Sequence, residues 1–432
     1  MTPGARVEAA IALTQAVLDT PRRPADELAT AFFRARRYIG AADRRAVAGH
    51  LWQILRCRRR LCWWLGVGRP DGRPDARLLL GASLLLSGAP LVSLAEFFSG
   101  ARFAPLPLGP AELAVLRPLE GLALDDPAMP EAVRLEIPDC LLGPLAARFG
   151  DALEAELAAL ALPAPLDLRV NLLKATREEA RDALSREGIF ATPTPLSPWG
   201  LRLAHRTTIT GSRAFRSGLI EIQDEASQIA ALLVDAQPGE RVADLCAGSG
   251  GKTLALAMVM QNQGHIVAAD ISASRLEAAA SRLLRAGVGN VERHLLRADD
   301  RWAERNAGKF DRVLVDAPCT GTGLWRRRPD QRLNIGADEL AEYPRRQAAI
   351  IDLAAGLVRK RGRLVYATCS LLVEENEAEV SGFLARHAEF AEVHPATSLP
   401  AAGLRAGAHG LLLTPLQHAT DGFFVALLEK RW

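Results

Sequence analysis

The chain has 432 residues, 49% of them apolar, enough for a sizeable buried core and against general disorder. That length exceeds one ordinary core and implies two or three domains. The formal net charge is only +3, so overall charge alone names no nucleic-acid partner. Of 53 basic residues five are lysine, an Arg and Ala bias that carries no functional weight but makes Lys252 conspicuous.

Residues 1–137 read as an all-α domain. Apolar residues recur at three-to-four spacing over Val7–Leu18 and Arg44–Leu65, with interruptions at Arg22-Arg23-Pro24 and Gly66–Pro74. Nine arginines lie between Arg34 and Arg60 against the single acid Asp43, a cluster that suits either a phosphate backbone or a solvated helix face. The uncharged stretch Leu78–Ala95 nears the lower limit for a spanning helix. Gly81, Ser83, Ser87, Gly88, Pro90 and Ser93 interrupt it, so two buried helices meeting at Gly88-Ala89-Pro90 are expected, and no membrane span. Glu8 and the lack of a short apolar core argue against a secretory signal.

Residues 138–223 read as a small α+β unit. A helix at Cys140–Ala161 is closed by Pro163 and Pro165, Leu166–Asn171 alternates like a strand, and Arg177–Glu187 reads as a helix stopped by Gly188. Residues 224–432 open on a helix at Asp224–Val234 and then alternate. Strands are expected at Arg241–Leu245, His265–Asp270, Val291–Leu296, Arg312–Asp316, Arg363–Ala367 and Gly422–Leu428. Helices are expected at Lys252–Gln261, Ala273–Ala286, Asp338–Val358 and Glu375–Arg386. This is the pattern of a Rossmann-like α/β domain, whose ligands bind outside the carboxyl ends of the strands.

At the first such end stands Asp244-Leu245-Cys246-Ala247-Gly248-Ser249-Gly250-Gly251-Lys252-Thr253. Its glycines let backbone N–H groups approach a ligand at a helix N-terminus. A Walker A loop fails because Cys246 occupies its first glycine position, and a dinucleotide turn lacks its third glycine at Thr253. An S-adenosylmethionine turn, acid-x-Gly-x-Gly-x-Gly, fits at Asp244, Gly248 and Gly250, with Cys246 in its first glycine slot. Asp270 ends the second strand, where a carboxylate can take ribose hydroxyls, and Asp299 follows the third, within reach of an adenine amine.

Two further strand ends carry cysteines: Asp316-Ala317-Pro318-Cys319 and Tyr366-Ala367-Thr368-Cys369. Both thiols should face one crevice, where one can attack and the other help release. Free cysteine is also a common core residue. The six cysteines form no Cys-x-x-Cys pair and have no neighbouring histidines, so no metal site is expected and reduced thiols in the cytoplasm are.

The pieces DLCAGSGGKT (Asp244–Thr253), DAPCTGTG (Asp316–Gly323), RRRPD (Arg326–Asp330), YATCSLLVEENE (Tyr366–Glu377) and DGFF (Asp421–Phe424), with LRVN (Leu168–Asn171) and IQDEASQ (Ile222–Gln228), resemble the RsmB/NSUN-type RNA cytosine-C5 methyltransferases. The N-terminal part is more weakly similar to the NusB-like helical domain of the bacterial RsmB branch, through Asp43–Leu65. The resemblance implies a class I S-adenosylmethionine methyltransferase domain behind an RRM-like α+β subdomain. It implies that Cys369 bonds to cytosine C6, that Cys319 acts when the C5 proton leaves and the enzyme–RNA bond breaks, and that Asp316 contacts cytosine or cofactor. The cofactor set carried over is Cys246, Ala247, Gly248, Ser249, Gly250, Gly251, Lys252, Asp270, Asp299 and Asp316. Arg169, Asn171, Arg326, Arg327 and Arg328 become RNA contacts. The family usually reads C-A-A-P-G-G-K-T, so Gly248 and Ser249 replace an Ala-Pro pair and loosen the turn, and Thr320 replaces the usual Ser. The implied product is 5-methylcytosine in an unstacked position of 16S rRNA, made by a monomer. A tRNA methyltransferase, a non-catalytic RNA-binding assembly factor and a P-loop NTPase are the rivals.

Overall fold

A computed structural model describes residues 1–67, 75–205, 207–297, 300–393, 404 and 407–432. The chain divides into two compact units, Met1–Ala161 with Trp325–Gly336, and Leu162–Leu324 with Ala337–Trp432. Among the described residues, no helix is long and apolar enough to cross a membrane.

The first unit is helical. Its longer helices are Pro3–Asp19, Ala25–Ala35, Ala41–Arg56, Ala76–Leu86, Asp139–Phe149 and Leu153–Ala161. Leu13, Val47, Leu51, Ile54, Leu79, Leu80 and Leu85 are fully buried at its centre. The helix expected over Arg44–Leu65 breaks at Cys57, where Glu136 accepts from the N–H groups of Arg59 and Arg60 and so caps a second helix, Arg58–Trp64. The helix expected over Cys140–Ala161 breaks at Gly150, whose φ of 50° no continuing helix adopts. The uncharged stretch folds as expected into two helices, Ala76–Leu86 and Leu91–Phe97.

The second unit holds two sheets. The smaller has strands β1 (Asp167–Val170), β2 (Ala191–Pro193), β3 (Gly200–Leu203) and β4 (Ile220–Ile222) in the order β2-β3-β1-β4, all antiparallel. The larger comprises β5 (Arg241–Leu245), β6 (His265–Asp270), β7 (Val291–Leu295), β8 (Phe310–Asp316), β9 (Val358–Thr368), β10 (Phe390–Glu392), β11 (Leu411–Leu413) and β12 (Phe423–Lys430). Its order is β10-β12-β9-β8-β5-β6-β7, with β11 pairing β12. β5 to β9 are parallel, and β12 runs antiparallel to β9.

Helices cover both faces, which is why the central strands read as apolar runs. Ala243, Val313 and Leu364 share one core with Ile351 and Phe383 from the helices Ala337–Leu357 and Glu377–Arg386. Val242, Leu314 and Val365 share the other with Ile229 and Leu256 from Glu225–Leu233 and Gly251–Val259. The order reverses direction between β5 and β8, so the crevice above them is the place for a ligand. Both β5 and β8 end there in sequences singled out above.

Candidate active site

β5 delivers the chain into a tight turn in which Cys246, Gly248 and Gly250 have φ of 61°, 56° and 79°. Cys246 is strained there, while the two glycines are not. The Ala247 N–H donates to Ala269 O at 3.0 Å and the Gly250 N–H to Ala247 O at 2.9 Å. Asp270, at the end of β6, accepts the Gly248 N–H at 2.8 Å and the Ser272 N–H at 2.7 Å. Each of its oxygens keeps a further lone pair for a hydroxyl.

Asp244 is fully buried below the turn, accepting from the Thr253 hydroxyl at 2.6 Å. Its other oxygen has no hydrogen-bond partner, and burial pushes the carboxyl up to about 7. Burial likewise pushes the Cys246 thiol up to about 12, helped by the charges of Asp316 and Asp270. Cys246 therefore stays a thiol at neutral pH and is no rival nucleophile. Lys252 points across to β8, donating to Asp316 Oδ2 at 2.6 Å with its ammonium 4.7 Å from the Phe423 ring centre. Asp299 lies outside the described residues.

β8 and β9 are parallel neighbours, and Asp316 stands opposite Ala367. The loops that follow them therefore leave the sheet side by side. Cys319 Sγ lies 3.2 Å from Cys369 Sγ. The hydrogen bond with Cys369 first, then burial, hold the Cys319 thiol well above the ordinary range.

The residue that joins these loops is Glu375, which is 1% exposed. Its carboxylate accepts from the Thr320 N–H at 2.9 Å, the Thr320 hydroxyl at 2.5 Å, the Ser370 hydroxyl at 2.9 Å and Gln347 Nε2 at 2.9 Å. The Thr322 hydroxyl accepts the Leu371 N–H at 2.7 Å, adding a second tie. Gly323 donates to Cys369 O and accepts from Gly422 N–H, both at 2.9 Å. A Cβ on Gly323 would collide with the Gly422 carbonyl, so the glycine of DGFF packs directly on the cysteine loop.

The residues expected at RNA are placed differently. Arg169 and Asn171 are buried, at 3% and 6% exposure. Arg169 donates to Gln223 and to the Gly251 carbonyl, and Asn171 Nδ2 donates to the carbonyls of Gly218 and Ala286. Spent on the interior, neither offers a surface contact. Arg326, Arg327 and Arg328 belong to the helical unit, where Arg326 is buried and Arg328 pairs with Asp330 at 3.6 Å. In the N-terminal arginine cluster, Arg59 pairs with Asp139 and Arg60 with Glu136 and Asp125, whereas Arg34, Arg37 and Arg45 are exposed. Among the described residues no group of acids, histidines and cysteines could hold a metal ion.

A Rossmann-like domain whose glycine turn faces two strand-end cysteines defines a class I methyltransferase of the paired-cysteine type. The family models agree: "16S rRNA methyltransferase RsmB/F" matches residues 231–429 and the RsmF/B-like ferredoxin-like domain matches residues 137–210. The chain is 36% identical to ribosomal RNA small subunit methyltransferase B of Pseudomonas syringae over 69% of its own length and 66% of that protein's. It is 31% identical to the probable small subunit methyltransferase B of Bacillus subtilis over 72% and 70%. A methyltransferase homologue from Pyrococcus horikoshii superposes with a TM-score of 0.61 at 29% identity, over 71% of this chain and all of that one. The chain belongs to the RsmB/F family.

Proposed function

We propose that this protein methylates cytosine C5 in 16S rRNA, using S-adenosylmethionine, with Cys369 as nucleophile and Cys319 as the proton-handling partner. The observation that carries the reading is the 3.2 Å contact between the two thiols, with Cys319 held protonated by it. The contact puts the Cys319 proton within reach of the Cys369 sulfur, and a thiolate is the form of cysteine that adds to C6.

The site suits this cofactor. Three left-handed residues open the turn to a ligand, Asp270 keeps lone pairs for the ribose, and Lys252 and Asp316 close the far side. When bound, S-adenosylmethionine supplies an electrophilic methyl group. Addition of the Cys369 sulfur to C6 makes C5 nucleophilic, and C5 takes the methyl. The Cys369 sulfur is then bonded to carbon and uncharged, so it no longer competes with C5 for a proton at Cys319. Once Cys319 has given its own proton to solvent, its thiolate accepts the C5 proton, the C5–H electron pair forms the C5–C6 double bond, and the C6–S electron pair returns to Cys369. The target base has to leave its stack to reach either sulfur.

The test is methyl transfer from labelled S-adenosylmethionine to 16S rRNA, to tRNA and to small ribosomal subunits. Label in 5-methylcytosine of 16S rRNA, naked or in the subunit, is the expected result. Label confined to tRNA would move the substrate, and no label in any of them would favour a binding protein.

A further inference from the structure

We infer that Arg282 is a positioning residue for the cofactor turn, doing from behind what a proline would do from within. The inference rests on the cofactor reading above. Ser249 sits between two left-handed glycines, Gly248 and Gly250, a run with little stiffness of its own. Arg282, on the helix Ala273–Ala286, donates from Nη1 to both the Ser249 carbonyl at 2.7 Å and the Ser249 hydroxyl at 2.8 Å. A fork fixed on two atoms of one residue sets the rotation of that peptide as well as its position.

The fork is itself held. Arg282 Nη2 lies 3.4 Å from Glu221, which also pairs with Arg285 one turn along the helix. Glu221 is on β4, and its side chain is 10% exposed. Next to it, Arg169 from β1 donates to the Gly251 carbonyl at 2.7 Å. Two arginines, from the small sheet and the neighbouring helix, thus grip the turn at Gly251 and at Ser249. Arg282 and Ser249 belong together, because the hydroxyl that replaces proline is the one the guanidinium takes.

Cofactor binding is measured by calorimetry with S-adenosylhomocysteine for wild type, Arg282→Ala, Ser249→Ala and the double variant, beside their melting temperatures and RNA Kd. We expect Arg282→Ala to weaken binding roughly tenfold or more, the scale of lost charge-assisted hydrogen bonds. KM for S-adenosylmethionine rises with it, while kcat at saturating cofactor and RNA affinity hold. Ser249→Ala costs less, and the double variant is no worse than Arg282→Ala alone. Equal cofactor affinity in Arg282→Ala and wild type would overturn the inference. So would losses that add in the double variant, or a fall in kcat and melting temperature without a change in KM. Failure of wild type itself to bind S-adenosylhomocysteine would instead remove the cofactor reading on which the inference stands.

Discussion

The two sides of the crevice are held by different means. On the cysteine side, side chains from both loops converge on the Glu375 carboxylate, which accepts four hydrogen bonds. On the glycine side, the shape is made by main chain in left-handed conformations, braced by arginines from outside the turn. A nucleophile has to be held within a fraction of an ångström of its target, and a buried cross-bonded carboxylate gives that rigidity. A ligand-binding turn has to present N–H groups, so side chains can only support it from behind.

Substitutions separate the two sides. Cys369→Ala should cost roughly 10⁴-fold or more in methyl transfer, as loss of a covalent nucleophile does, with S-adenosylhomocysteine binding intact by calorimetry. Glu375→Gln puts an NH₂ group where donors already point. We expect kcat to fall roughly 100-fold, the scale of an ångström-sized misplacement, while cofactor KM changes little. If cofactor KM rose and kcat held, the division between the two sides would be wrong. Arg282→Ala should show the opposite split, as set out above.

The smallest effect is on stability. Asp244 is pushed up to about 7 in the fold, against about 3.9 in an unfolded chain. The folded state therefore binds the extra proton between about pH 4 and 7, and this group's contribution to stability falls as pH rises through that window. Asp244→Asn keeps an acceptor for the Thr253 hydroxyl and removes the titration. Its melting temperature should gain on wild type between pH 5 and 8, and parallel curves would show that Asp244 ionises normally.

Much of this was legible in the sequence, for local reasons. The helix Ala273–Ala286 and the strands β5 and β6 fall where expected, because apolar runs and caps are local signals. Both cysteines could be placed at one crevice from their position after apolar runs. The edge strands β10 and β11, at three residues each, are too short to show a period. Nor is the place of Trp325–Gly336 legible, since its neighbours lie far away in sequence: the Asp330 carboxylate accepts the Ala25 N–H, and Arg332 donates to Leu160 O. The same distance hid Arg282 and Arg169. An arginine in a sequence reads as a surface charge, and only the fold shows one buried under a turn. Glu375 could have been found, since it lies in the same matched segment as Cys369, six residues on.

The most direct test of the two-thiol assignment is a denaturing gel of Cys319→Ala, Cys369→Ala and the double variant, each incubated with RNA and labelled S-adenosylmethionine. A covalent protein–RNA band carrying methyl label is expected for Cys319→Ala, and none for the other two. A band from Cys369→Ala, or methylated RNA released freely by Cys319→Ala, would contradict that assignment.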